Sequence, residues 1–374
     1  MSNRMLRCVA ALSALVVPVG FGLNPMLAEA SAGSTMTLVA TGLQQPRGLT
    51  FGPDGALYIA EGGLGGAMQT TATQCQQVPA PVGPYTGGFT ARISKVDPST
   101  GTRLTIASGL PSSMTSPAIG GLISGVADVK FSGDALYALE AAAGCSHGLA
   151  GTHNSILRVN PDGSTTDIAD LSAFLLANPV AHPEPADFEP DGTWYSMVAV
   201  RGQLYAVEPN HGEVDVIDAA TGAIRRLIDV SAHFGHIVPT SVTSHGNFYL
   251  GNLNVFDPGA NGHAGVHKIT PSGNIELVAS GLTAVTGVAF HHGTLFALEA
   301  FTGFFAPAPF VAHTGTVVRL NDRGNWEVVA SGLSFPTAMT FGPDGNLYVS
   351  NFGFGFPSGA GQVVKITLSN SYWG

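Results

Sequence analysis

The chain reads as an all-β protein closed into a six-bladed propeller, and two repeated patterns carry that reading. In the first, a short apolar strand, a tight turn and a second strand opening on Leu-Tyr or its equivalent recur six times. The copies run from Leu49 to Tyr58, Val129 to Tyr137, Val198 to Tyr205, Val242 to Tyr249, Val288 to Phe296 and Met339 to Tyr348. The aromatic anchors of the later copies, Tyr205, Tyr249, Phe296 and Tyr348, are 44, 47 and 52 residues apart, near the roughly 40–50 of a four-stranded blade. The second pattern is a phrase found at Leu38–Leu43, Ile106–Leu110, Leu277–Leu282 and Val328–Leu333. Its first occurrence precedes any complete repeat, and the last repeat lacks one.

Each of the first five copies is followed by a third strand and a turn rich in Asx, Pro and Gly. Ile93–Val96 precedes Asp97–Gly101, Ile156–Val159 precedes Asn160–Gly163, Val214–Ile217 precedes Asp218–Gly222, Val266–Ile269 precedes Thr270–Gly273, and Val317–Leu320 precedes Asn321–Gly324. These residues supply hairpin geometry at low steric cost. The sixth copy stops after its third strand, Val363–Ile366, so the missing outer strand is expected from Leu38–Leu43 at the other end of the chain. That pairing removes an exposed sheet edge. The expectation is one domain of 24 strands over residues 31–374.

Composition agrees. Only 11% of the 374 residues are charged and 45% are hydrophobic, with 49 Gly and 24 Pro, which suits turn-rich β structure and excludes a disordered chain. Residues 1–30 read as an export signal: Arg4 and Arg7 precede an apolar run from Cys8 to Leu23, and Ala28-Glu29-Ala30 offers a small-x-small cleavage pattern. The run is short of the ~20 residues that span a bilayer, which argues against a permanent anchor. No membrane span is expected in the mature chain, and a periplasmic or extracellular location follows. Loss of Arg4, Arg7 and Glu29 takes the formal charge from −10 to −11, so nucleic acid is an unfavourable partner. Cys75 and Cys145 remain as an even pair destined for an oxidising compartment, and a disulfide between them is expected.

The stretch Pro46–Glu61, echoed at Pro336–Asn351, resembles the NHL repeat of six-bladed propellers. With its long inserts, essentially the whole mature chain looks like the ScyD/ScyE family, secreted NHL-type propellers associated with synthesis of the pigment scytonemin. The resemblance implies an exported propeller of undefined biochemical activity with a link to that pathway.

Antiparallel strands sort the connections onto two faces. Short hairpins occupy one. The long inserts, 62–90, 111–124, 141–153, 175–193, 253–263 and 300–313, all fall on the other, the arrangement by which rigid scaffolds carry binding loops. A short helix is expected near Leu171–Ala177, followed by a Pro-rich flap over 178–190 whose His182, Glu184, Asp187 and Glu189 are most simply solvated.

Three constellations lie on the insert face. The end of strand two carries Glu61, Glu140, Glu208, Asn252, Glu299 and Asn351 in the six blades. Six oxygen-bearing side chains around one axis suit a hard cation such as Ca²⁺, and equally suit hydrogen bonding to loop amides within each blade. Six-bladed lactonases hold Ca²⁺ partly with a Glu at the start of the first inner strand. Here that position is Arg47, with Ser196, Thr240, Thr286 and Thr337 elsewhere. Histidines form the second set: His147, His153, His182, His211, His233, His236, His263 and His313, without a metal-binding spacing. The third is aromatic: Phe301, Phe304, Phe305 and Phe310 in one insert, Phe352, Phe354 and Phe356 in the next, and Phe335 between them. Such a surface suits an apolar or aromatic small molecule or a protein.

Nucleophile elbows, phosphate loops and dinucleotide fingerprints are missing from the sequence. The reading is a secreted binding or scaffold protein with its ligand on the insert face, near the phenylalanines and Arg47. The alternative is a Ca²⁺-dependent hydrolase or lactonase at the channel mouth, in which the cation polarises a carbonyl and a loop histidine moves protons.

Overall fold

A computed structural model describes residues 34–254, 263–302 and 311–368. The signal segment, Phe304, Phe305 and Phe310 lie outside these described residues. The chain begins with β1 (Ser34–Leu43) and enters blade one as β2 (Pro46–Phe51), β3 (Leu57–Glu61), β4 (Thr86–Val96) and β5 (Arg103–Met114). A two-residue strand, β6 (Ile123–Ser124), pairs with the end of β5. Blade two is β7 (Val126–Ser132), β8 (Ala135–Glu140), β9 (Ser155–Val159) and β10 (Thr165–Asp170). The helix α1 (Leu171–Ala177) follows, with Asp170 as its N-cap accepting from Ala173 N.

Blade three comprises β11 (Ser196–Val200), β12 (Gln203–Glu208), β13 (Glu213–Asp218) and β14 (Ile224–Asp229). After the single-turn α2 (Ser231–Phe234), blade four is β15 (Pro239–His245), β16 (Asn247–Asn252), β17 (Ala264–Ile269) and β18 (Ile275–Leu282). Blade five is β19 (Val285–His291), β20 (Thr294–Glu299), β21 (Gly315–Leu320) and β22 (Trp326–Leu333). Blade six contributes β23 (Ala338–Phe341), β24 (Leu347–Asn351) and β25 (Gly361–Leu368).

The expected closure is present. Strand β1 pairs antiparallel with β25, matching Met36 to Ile366 and Leu38 to Val364. The inner strands pack in the order β2, β7, β11, β15, β19, β23 and back to β2, so the sheets form a ring. The strand count differs from expectation by β6, because β4 and β5 run on beyond the blade as a long hairpin and present an edge for two more residues.

The core lies between blades. Leu139, Ile156, Trp194, Met197, Leu204 and Ile217 fill the space between blades two and three, while Phe296, Leu298, Met339, Leu347 and Val349 do so between five and six. Each blade buries both faces only against its neighbours, so closure is a condition of stability. The short hairpins turn through glycines that tolerate left-handed backbone; Gly55 has φ +75° and its amide donates to Gly52 O at 3.0 Å.

Strand polarity places the β3–β4, β5–β7, β8–β9, β10–β11, β16–β17 and β20–β21 connections on one face with the starts of the inner strands. These are the long inserts. Among the described residues, no helix is long and apolar enough to cross a membrane.

Candidate functional site

At the insert face, a residue just before the inner strand takes a left-handed backbone in four blades: Gln45 (φ +53°), Val238 (+54°), Ala284 (+50°) and Phe335 (+44°). This conformation is costly for residues with a Cβ, and local hydrogen bonds hold it in place. The carbonyls of Gln45, Val238 and Ala284 accept the amides of Gly62, Leu253 and Ala300, just past strand two, at 2.9–3.0 Å, and Phe335 O accepts Gly353 N at 3.1 Å.

The repeated acidic or amide side chain completes that clasp. Glu61 Oε2 accepts Gln44 N at 2.6 Å, Glu208 Oε1 accepts Thr193 N at 3.0 Å, Glu299 Oε1 accepts Thr283 N at 2.7 Å, and Asn351 Oδ1 accepts Ser334 N at 2.8 Å. Asn252 works in both directions, accepting Gly265 N and donating to Ile237 O. Glu140 accepts the amides of Ala141 and Ala142, both at 3.0 Å. All six positions are thus engaged by backbone of their own blade and buried. Among the described residues, no three of His, Cys, Asp and Glu are grouped as a metal site.

The carboxylates differ in electrostatics. Glu61 has Arg92 at 2.7 Å and also accepts from Ser94. Burial pushes Glu140 up to about 8, its two amides only partly opposing, and its second oxygen has no partner. Burial acts on Glu208 in the same sense, but the His211 charge 3.3 Å away and three hydrogen bonds outweigh it, leaving its pKa lowered.

The channel mouth is spanned by two side chains. Strand register places Tyr195, not Ser196, at the position of Arg47, Thr240, Thr286 and Thr337: Tyr195 N donates to Val207 O as Thr337 N donates to Ser350 O. The expected equivalence of Ser196 fails because β11 pairs in register one residue later than its sequence suggests. Thr240, Thr286 and Thr337 donate to Val285 O, Pro336 O and Pro46 O of the next blade at 2.6, 2.9 and 2.7 Å. They are staples between blades. Arg47 donates to Ile123 O and lines the same cavity as Tyr195, whose hydroxyl donates to Thr337 O. Burial pulls the Arg47 pKa down and pushes Tyr195 up to about 12. Together they line a cavity of about 50 Å³ with Gly48, Trp194, Ser196 and Ala338.

Four inserts meet beside this mouth in a network the sequence did not disclose. Tyr85 Oη donates to Glu189 Oε1 at 2.6 Å; His147 Nε2 donates to Gly192 O at 3.1 Å, which leaves Nδ1 to accept from Ser113 Oγ at 2.9 Å. Cys75 and Cys145 form the expected disulfide between the 62–90 and 141–153 inserts, with a Cα–Cα distance of 6.1 Å. Glu189 is 5% exposed and pushed up to about 8 by burial, so its assignment as a solvated flap residue is corrected: the flap folds back onto Tyr85. Ser113, His147 and Glu189 have the residue types of a hydrolytic triad, yet at 1%, 0% and 5% exposure they are sealed from any substrate. The signal in the sequence was the Pro-rich stretch itself, which reads equally as a flap or a packed arm.

The remaining histidines scatter. His153 pairs with Asp167, His236 with Asp187 at 3.0 Å, and His313 meets Ser334 at 2.9 Å. His182, His233 and His263 are exposed.

The aromatic residues do come together. Phe335 stacks on Phe354 at 4.9 Å and 18°, lies 5.6 Å from Phe356, and meets the buried Phe301 at 6.3 Å. Phe356 meets Phe352 edge-on at 4.6 Å, and its carbonyl accepts Gln45 Nε2 at 2.8 Å, which ties the cluster to blade one. Phe301 and Phe335 form the floor, while Phe352, Phe354 and Phe356 are only half-buried.

No protein-family model matches the chain, and no curated protein does. Solved structures do match in fold. An auxiliary nutrient binding protein of Bacteroides thetaiotaomicron aligns with TM-score 0.55 at 8% identity, over 90% of this chain and 77% of that one. A gluconolactonase of Xanthomonas campestris gives 0.53 at 10% over 91% of each. The calcium-binding regucalcin of Agrobacterium tumefaciens gives 0.52 at 14%, over 90% and 94%. At such identities the likeness establishes the six-bladed fold alone.

Proposed function

We propose that this is an exported binding protein that holds an apolar or aromatic small molecule, or a partner presenting such a group, on its insert face. The observation that carries the reading is the Phe335–Phe354 stack with Phe352 and Phe356 half-buried around it. Rings fixed by stacking and by the Gln45 bond lose little freedom when a flat ligand settles on them. Arg47, at the adjoining mouth, supplies a cation. The repeat pattern and inserts support a place in the ScyD/ScyE family and a setting in synthesis of a scytonemin-type aromatic pigment. The Cys75–Cys145 bridge supports export to an oxidising compartment.

Titration with 1-anilinonaphthalene-8-sulfonate tests this. Saturable fluorescence should weaken at least about tenfold in Phe354→Ser, and an unchanged titration in that variant would refute the reading.

A second reading, a Ca²⁺-assisted lactonase, is favoured by one feature: the unpartnered, buried Oε2 of Glu140. It requires that Ca²⁺ raise the melting temperature and that Glu140→Gln with Glu208→Gln abolish the rise.

A further inference from the structure

Beneath the plug of Arg47 and Tyr195 the channel widens into a cavity of about 310 Å³, at the lower end of the roughly 300 to 1,000 Å³ typical of small-molecule sites. Its lining runs along the inner strands from Ser196, Thr286 and Ala338, next to the plug, to Phe290 and Phe341 beside the short hairpins, so it extends towards the face opposite the inserts. Counting three residues on from Arg47, Ala127, Tyr195, Thr240, Thr286 and Thr337 gives one ring: Thr50, Lys130, Val198, Thr243, Ala289 and Thr340. Five of the six are half-buried, and all line the cavity.

The ring carries unused hydrogen-bonding capacity. Lys130 Nζ donates to Asp128 Oδ1 at 2.5 Å and to Val129 O at 3.2 Å, which leaves one of its three N–H groups without a protein partner. Asp128, 2% exposed, is taken up by Lys130, Val129 N and Met197 N. It therefore orients the ammonium and has little left to offer a ligand's donors. The hydroxyls of Thr50, Thr243 and Thr340 likewise have no side-chain partner among the described residues. Apolar walls from Met197, Val242, Val288 and Met339 complete the chamber. At its exit, His245 lies flat on Phe290 at 4.6 Å and His291 on Phe341 at 4.2 Å.

We propose that this lower channel is a second binding site, for a small organic monocarboxylate with an aromatic or aliphatic body, held by its carboxylate on Lys130 and the threonine ring. An ammonium held in place by Asp128, with one N–H still free and the rest of the lining uncharged, selects an acceptor-bearing head group over a donor. Entry is from the hairpin face, past the two stacked histidine–phenylalanine pairs.

Calorimetry on the disulfide-bonded exported chain tests it, with 3-phenylpropanoate and its primary amide as probes. The carboxylate should bind at one saturable site at least about tenfold more tightly than the amide. Lys130→Met should erase that preference, and Val198→Phe, which fills the lumen, should abolish binding of both. If Lys130→Met or Val198→Phe does not fold, Thr243→Val with Thr340→Val and Ala289→Leu serve instead, with weakened and abolished binding expected. Absence of saturable binding, binding that survives the filled lumen, or a preference that survives loss of the ammonium would overturn the site. Anilinonaphthalene sulfonate bound at the insert face should not be displaced by 3-phenylpropanoate; displacement would merge the two sites and overturn this one.

Discussion

The hydroxyl of Tyr195, in blade three, donates to the carbonyl of Thr337, in blade six, at 3.0 Å across the channel. The two blades are opposite one another in the ring, so a single phenol with Arg47 beside it separates the insert face from the lower chamber. Tyr195→Phe removes the bridge and leaves a buried carbonyl short of a partner. It should cost about 1–2 kcal/mol in urea unfolding.

Buried carboxyl groups make stability depend on pH in a definite sense. Burial raises Glu140 and Glu189 to about 8, and raises Glu213 and Asp215 as well. The folded protein therefore retains protons that the unfolded chain releases above about pH 4.3, so stability falls as pH rises towards 8. His147, lowered by burial, acts oppositely, but only as pH falls below about 6.5. Denaturant midpoints should drop between pH 6.5 and 8. Glu140→Gln should flatten that slope, and a slope of the opposite sign would contradict these assignments.

The disulfide closes a separation of 70 residues between two inserts. Loop-closure entropy for a loop of that length puts its contribution at about 4 kcal/mol. Cys75→Ser with Cys145→Ser should lower the melting temperature accordingly, and intact mass of the unreduced wild type should show no free thiols.

Ring closure depends on a strand borrowed from the other end of the chain. Leu43 is fully buried between blades six and one with Leu49, Leu57 and Val363. Leu43→Ala should cost about 2–5 kcal/mol, measured by equilibrium unfolding. Omission of Ser34–Leu43 should expose the β25 edge and give a protein that self-associates, read by light scattering.

The blade-to-blade staples give a smaller effect. Thr240→Val keeps the shape but loses the bond to Val285 O. A loss of about 1–2 kcal/mol is expected from thermal or urea unfolding.

The sequence alone determined the six blades, the closing strand, the face that carries the inserts, the helix at Leu171–Ala177 and the pairing of Cys75 with Cys145. Each follows from local periodicity or from a missing partner, properties that can be read along one dimension. The tertiary structure alone decided what the repeated polar residues do. A glutamate at the end of strand two has the same sequence signature whether it faces a cation or its own linker amide, and only the path of Gln44, Thr193 or Thr283 past it gives it the amide. Likewise, Tyr195 lies 142 residues from Thr337 in sequence, and Glu189 lies 104 from Tyr85. Contacts over such separations are set by ring curvature and insert packing, because hydrogen bonds select partners by distance and angle rather than by order in the chain.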